Sequence, residues 1–150
     1  MTNLPLCSSS AWTQAEVESY LERSKIPMRL ACIEDSGFPL VCSLWYLYQD
    51  GCIWGATHES AKVSKLLAQN SKCAFEIAPN EMPYRGVRGQ GQASLLSEEA
   101  TDVLPRLIDR FLGDDNQSLA SWLLSRIDHE FAIKIEPQWM TSWDFSQRMS

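Results

Sequence analysis

The segment at residues 85–96, RGVRGQGQASLL, constrains the fold more than any other stretch of the chain. Two arginines and three glycines fall within its first seven residues, which invites comparison with a phosphate-cradling loop. Neither phosphate-loop spacing is present: there is no G-x-x-x-x-G-K-[ST] and no G-x-G-x-x-G opening a helix. Alternation decides instead. In an extended chain Val87, Gly89, Gly91, Ala93 and Leu95 share one face, small or apolar throughout, while Gly86, Arg88, Gln90, Gln92 and Ser94 share the other. That is the pattern of a β-strand with one buried face. Glycines weaken a strand interior unless they permit a bend or the close approach of another body. Gly86, beside Arg88 on the polar face, would leave room there for a flat ligand against the backbone.

The remaining chain supplies partners for this strand. Thr13 and Glu16 form a T-x-x-E capping box for a helix over about 14–23. MRLACIE ends at the turn signature DSGFP, LVCSLWYLY breaks at QDG, and CIWGAT follows across Asp50-Gly51, the signature of a tight hairpin. Residues 27–57 thus read as a three-stranded meander. HESAKVSKLLAQN switches to helical period, with Ser60 placed as N-cap. CAFEIA is a fourth strand and RGVRGQGQASLL a fifth. Ser97 is placed to cap a helix that carries Pro105, a kink or late-start signal, and closes at Gly113. Ser118 is placed to cap LASWLLSR. EFAIKIE alternates as a sixth strand before Pro137, and an aromatic tail at 138–150 follows. The expectation is one mainly β domain over 1–150, a six-stranded antiparallel barrel with peripheral helices.

Charge narrows the partners. Thirteen Lys+Arg against nineteen Asp+Glu give a net charge of −6, so the long-range field repels nucleic acid and anionic membranes alike. No apolar run approaches the ~20 residues of a membrane helix. The Met1–Leu4 start lacks a basic, then apolar, leader. Five cysteines without a C-x-x-C read as reduced cytoplasmic thiols, four of them in strand-like stretches where they act as small buried hydrophobes. Two histidines provide no zinc ligand set, so no metal is expected. His129, in DHE, reads as a turn before a strand.

Three constellations carry chemistry. In ATHESAK a strand ends at Ala56-Thr57 and a helix begins near Ser60; its free amides, with two hydroxyls and Lys62, make a ready anion site. Arg29, midway along a short strand with Ala31 on its face, calls for an anionic partner: Glu34, Glu76 or a bound phosphate. Gly86 and Arg88 form the third. Trp143, near the chain end, is placed to cover a ligand or a partner subunit. No nucleophile–base motif is present, and no catalytic residue is assigned.

Taken in order, RLA, DGCIWGATHESAK and YRGVRGQGQA resemble the pyridoxamine 5′-phosphate oxidase-like family of flavin-binding split barrels, over residues 15–146. The resemblance implies a homodimer with flavin mononucleotide (FMN) in grooves between subunits. It implies that Arg29, Ser60 and Lys62 hold the flavin phosphate, with Thr57 and Ala56 beside the cofactor. Leu30 and Ala31 would offer backbone contacts to the ring, Gly86 and Arg88 would lie against it, and Trp143 would close the groove. Two departures stand out. Glu34 occupies the position where the oxidases carry a substrate-binding lysine, and their C-terminal R-x-H has no counterpart. A carboxylate there repels a phosphorylated substrate, so the expected activity is flavin-dependent oxidation or reduction of some other small molecule. A deazaflavin-dependent reductase and a non-catalytic flavin- or haem-binding module are the rival readings.

Overall fold

The structure, a computed structural model, describes residues 3–150. Seven strands form one sheet: β1 (Met28–Ile33), β2 (Pro39–Leu44), β3 (Leu47–Gln49), β4 (Cys52–His58), β5 (Lys72–Ile77), β6 (Arg85–Leu96) and β7 (Glu130–Asp144). The helices are α1 (Gln14–Arg23), α2 (Lys62–Gln69), α3 (Ala100–Leu112) and α4 (Gln117–Ser125), with a 3-10 turn at Ile127–His129. The sheet order is β2-β1-β5-β6-β7-β4-β3, antiparallel at every junction.

The expected count of six strands is corrected to seven, because LVCSLWYLY does not run as one strand. It breaks at Trp45-Tyr46 into β2 and β3, which lie at opposite edges of the sheet. The expected meander over 27–57 therefore fails: β1 pairs with β2 and β3 with β4, but β2 and β3 do not pair. Tyr46 explains the break. Its ring is fully buried, and its hydroxyl donates to the Leu21 carbonyl at 2.7 Å. One continuous piece of chain thus serves both sheet edges, which forces the sheet to curl until those edges meet.

The Asp50-Gly51 hairpin forms as expected, with both residues at positive φ and Gln49 opposite Cys52. The seventh strand is longer than EFAIKIE. It continues through Pro137 to Asp144 and absorbs most of the aromatic tail. Pro137 pairs with Gly91 beside a register shift in the β6–β7 ladder, a place where a strand tolerates proline. Here the strand glycines find their reason. A Cβ on Gly91 would sit 2.4 Å from the Glu136 carbonyl oxygen, and one on Gly89 2.5 Å from that of Trp139. Only glycine lets β7 cross β6 so closely.

The alternation in β6 holds: Val87, Gly89, Gly91 and Ala93 are buried, whereas Arg88, Gln90 and Ser94 are exposed. Inside the curl, Met28, Leu30, Ile53, Ile77, Val87, Ile133, Ile135 and Met140 pack with Val17 and Leu21 of α1 and Val63 and Leu67 of α2. A second apolar layer lies outside it, where Val103 and Leu107 of α3 cover Leu47, Ala132, Trp54 and Ala56. The Thr13–Glu16 capping box on α1 is present in both directions. The other expected caps shift. α2 is preceded by Ala61 rather than capped by Ser60, α3 by Glu99 rather than Ser97, and α4 is capped by the Asn116 side chain rather than Ser118. α3 passes through Pro105 and ends at Gly113.

All five cysteines are free thiols, and Cys32 and Cys73 face each other across β1 and β5 in the core. Burial pushes the Cys73 thiol up to about 12, so it stays protonated and packs as a hydrophobe. Among the described residues no cluster could hold a metal, and no helix is long and apolar enough to cross a membrane.

Candidate functional site

The curl leaves a seam. β3 pairs only with residues 52–54 of β4, so the later half of β4 has no strand on that side, and neither has the outer edge of β2. These unpaired edges face one groove of about 390 Å³, lined by Ser43, Leu44 and Trp45 on one side and Ala56, Thr57 and His58 on the other. Leu104 and Leu107 of α3 and Leu119 and Leu123 of α4 form its apolar wall, and Arg126 and Glu130 close its far end. Its volume falls within the ~300–1,000 Å³ usual for small-ligand sites. Free backbone amides and carbonyls at a concave, mostly apolar site are groups a polar ligand can satisfy.

Polar side chains sit at both ends. At the β2 end, Arg29 donates from Nη1 to the Ser43 hydroxyl at 3.0 Å. Neither Glu34 nor Glu76 pairs with Arg29, and no carboxylate lies within ion-pair distance of it among the described residues. Glu34 instead binds Lys62 at the head of α2. At the β7 end, Glu130 stands opposite His58 across the ladder. Its side chain is only 5% exposed and lies 3.9 Å from Arg126 Nη2, too far for a hydrogen bond. Burial pushes its carboxyl above the usual carboxylate range, and the Arg126 cation opposes that shift. His58 is fixed from behind: the Ser60 amide donates to Nδ1 at 3.1 Å, which leaves the proton of the neutral ring on Nε2. The Ser60 hydroxyl also contacts Nδ1, at 2.7 Å. His129 is held separately by Glu59 at 3.0 Å.

The expected site residues divide into groups. Ala56 and Thr57 line the seam groove, and Arg29 reaches its rim through Ser43. Arg29, Ala31 and Arg88 also line a shallower groove of about 570 Å³ on the outer sheet face, with Glu76, Gln90 and Trp139. Leu30 points into the core. Ser60 and Lys62 are engaged by His58 and Glu34. The space over Gly86 is filled from within: a Cβ there would meet Ala78 Cβ at 2.6 Å and the Trp143 ring at 3.0 Å. Arg88 lies 5.5 Å from the centre of that ring. Sequence reasoning missed Ser43, Trp45, His58, Arg126 and Glu130 as groove residues. Only His58 had a local signal, its place in ATHESAK; the others meet it through the sheet curl.

No family model matches the sequence, and no curated protein does. Solved structures do. A conserved hypothetical protein from Mycobacterium tuberculosis superposes with a TM-score of 0.80 at 20% identity, covering 99% of this chain and 94% of its own. The chain has the split-barrel fold. An F420 reductase superposes at 0.70 with 18% identity over 83% of this chain and 94% of its own. A FAD-binding protein from Mesorhizobium loti superposes at 0.65 with 17% identity over 87% and 94%. The seam between β2 and β4 is the split of this split barrel.

The groove's donor set suits a flavin. Its leucine wall is apolar, as a ring system needs, and the Arg29-bound Ser43 hydroxyl at its rim suits an anionic group.

Proposed function

We propose that this protein binds a flavin in the split between β2 and β4, with FMN as the preferred form, and uses it to transfer electrons to or from a small molecule. The observation that carries this reading is the convergence of two unpaired strand edges on one largely apolar groove with an arginine-held hydroxyl at its rim. Arg29 and Ser43 cradle the phosphate. The apolar wall from α3 and α4 takes the ring. Bound flavin supplies hydride or single-electron chemistry; the protein binds and orients it and keeps water from one side. A deazaflavin is the second reading, favoured by the likeness to an F420 reductase. The net charge of −6 suits its long acidic tail less well.

The outer face of β2, β1, β5, β6 and β7 supports a second proposal, a homodimer. Ile33, Val41 and Trp139 are exposed on it among small residues, with no helix over them. Arg29, Glu76 and Arg88 form a cross-strand row, a charge pattern a second copy can complement.

Titration of the purified protein with FMN, read by quenching of flavin fluorescence, tests the function. Saturable binding at micromolar protein is expected, and Arg29→Ala should weaken FMN about tenfold while changing riboflavin little. No uptake of FMN or of a deazaflavin would refute the proposal.

A further inference from the structure

Glu130 is only weakly held by the fold. It opens β7 on the outer face, almost wholly buried, where its carboxylate accepts no hydrogen bond among the described residues and has only Arg126 at 3.9 Å. A buried carboxylate without donors is costly, and a single cation beyond hydrogen-bond reach does not offset it. Glu130 is part of the groove lining, so a ligand there can supply the donor it lacks. Two donors flank it there. Arg126 presents its guanidinium, 30% exposed, and His58, also in the lining, carries an Nε2 proton in its neutral form because Nδ1 accepts from the Ser60 amide. The far end of the groove therefore offers a donor, an acceptor and a donor.

We infer that Glu130, flanked by Arg126 and His58, reads the imide edge of the bound ring, accepting from its N–H while the two neighbours donate to the carbonyls on either side. This rests on the flavin reading above and adds to it an orientation: pyrimidine edge toward β7, phosphate toward β2. Flavins and deazaflavins share that edge, an N3–H between two carbonyl groups, so the site selects the class rather than one member. The edge is complementary because each group of the protein meets a group of opposite hydrogen-bonding sense. A ligand lacking the N–H leaves the carboxylate buried and unpaired, which is where discrimination of this kind is strongest.

The test compares FMN with N3-methyl-FMN on the full-length protein by fluorescence quenching. Wild type should bind the methylated form about tenfold or more weakly. Glu130→Met, which removes the acceptor at similar volume, should bring the two ligands within about twofold. Glu130→Gln should restore part of the preference, because its amide oxygen still accepts. Equal wild-type affinity for the two ligands overturns the inference, and needs no variant to fold. An undiminished preference in a folded Glu130→Met protein overturns it as well. Failure of wild type to bind FMN at all refutes the flavin reading itself, and is distinguished by the first titration.

Discussion

The split groove and the open sheet face are built from the same strands, yet they offer opposite chemistry. On the open face β1, β5 and β6 are each paired on both sides, broken only by the register shift at Gln90/Gly91, so the backbone has little left to give. What remains is a shallow surface of alanines, exposed Val41 and Trp139, and the row of Arg29, Glu76 and Arg88. In the split the ladder stops, and amides, carbonyls and Glu130 are left needing partners under an apolar roof. A satisfied sheet suits another protein surface; an interrupted one suits a small polar-edged ligand. Which strands pair decides which region becomes which.

The largest effect should come from removing the frame both regions share. Gly91→Val would drive a side chain into the Glu136 carbonyl and should cost about 3 kcal/mol or more. Loss of the cooperative thermal transition, or a steep drop in its midpoint, is expected; an unchanged midpoint would show that β7 does not need that approach. Next, each region should fail alone. Leu123→Trp fills the groove and should weaken FMN at least about tenfold, with the sedimentation coefficient unchanged. Val41→Asp places a charge on the open face and should shift sedimentation to monomer, with FMN affinity held within about threefold. If either substitution abolishes both properties, groove and face are one site rather than two.

The smallest effect is on stability. The Glu130 carboxyl is raised in the folded state by burial, so the native protein holds this proton more tightly than the unfolded chain does. Stability then falls as pH rises from the unfolded carboxylate value through the raised folded one. Glu130→Gln should therefore lift the melting temperature at pH 7, on the order of 1–2 °C. The gain should vanish below about pH 4, where wild type is also neutral. A gain that persists at low pH would assign it to packing instead of charge.

The sequence made some of this legible. Alternation in residues 85–96 and the Thr13–Glu16 box concern neighbours along the chain, and both hold. The hairpin at Asp50-Gly51 holds for the same reason. The β2–β3 break was not legible, because Trp45 and Tyr46 are as strand-like as the residues around them. Only the burial of Tyr46 beneath α1 interrupts the run. The end of β7 was hidden by Pro137, a strand breaker that the register shift accommodates. At the site, Ala56 and Thr57 could be placed from a strand-to-helix boundary. Arg126 and Glu130 could not, because a carboxylate in DHE looks like a solvated turn until α3 and α4 close over it.

The corner at Trp45-Tyr46 also sets how the groove can move. β2 and β3 are two strands joined only by this corner across the seam, so widening the split means pulling on Tyr46. That ring is pinned from three directions: by its bond to the Leu21 carbonyl, by Arg110 over its face at 5.2 Å, and by the edge of Phe111. Arg110 in turn grips the carbonyls of Leu21, Glu22 and Ser24 at the end of α1. The strand side of the groove is thus a fixed jaw anchored on α1. α4 has no fully buried residue, so the helix side of the groove is the less anchored of its two walls.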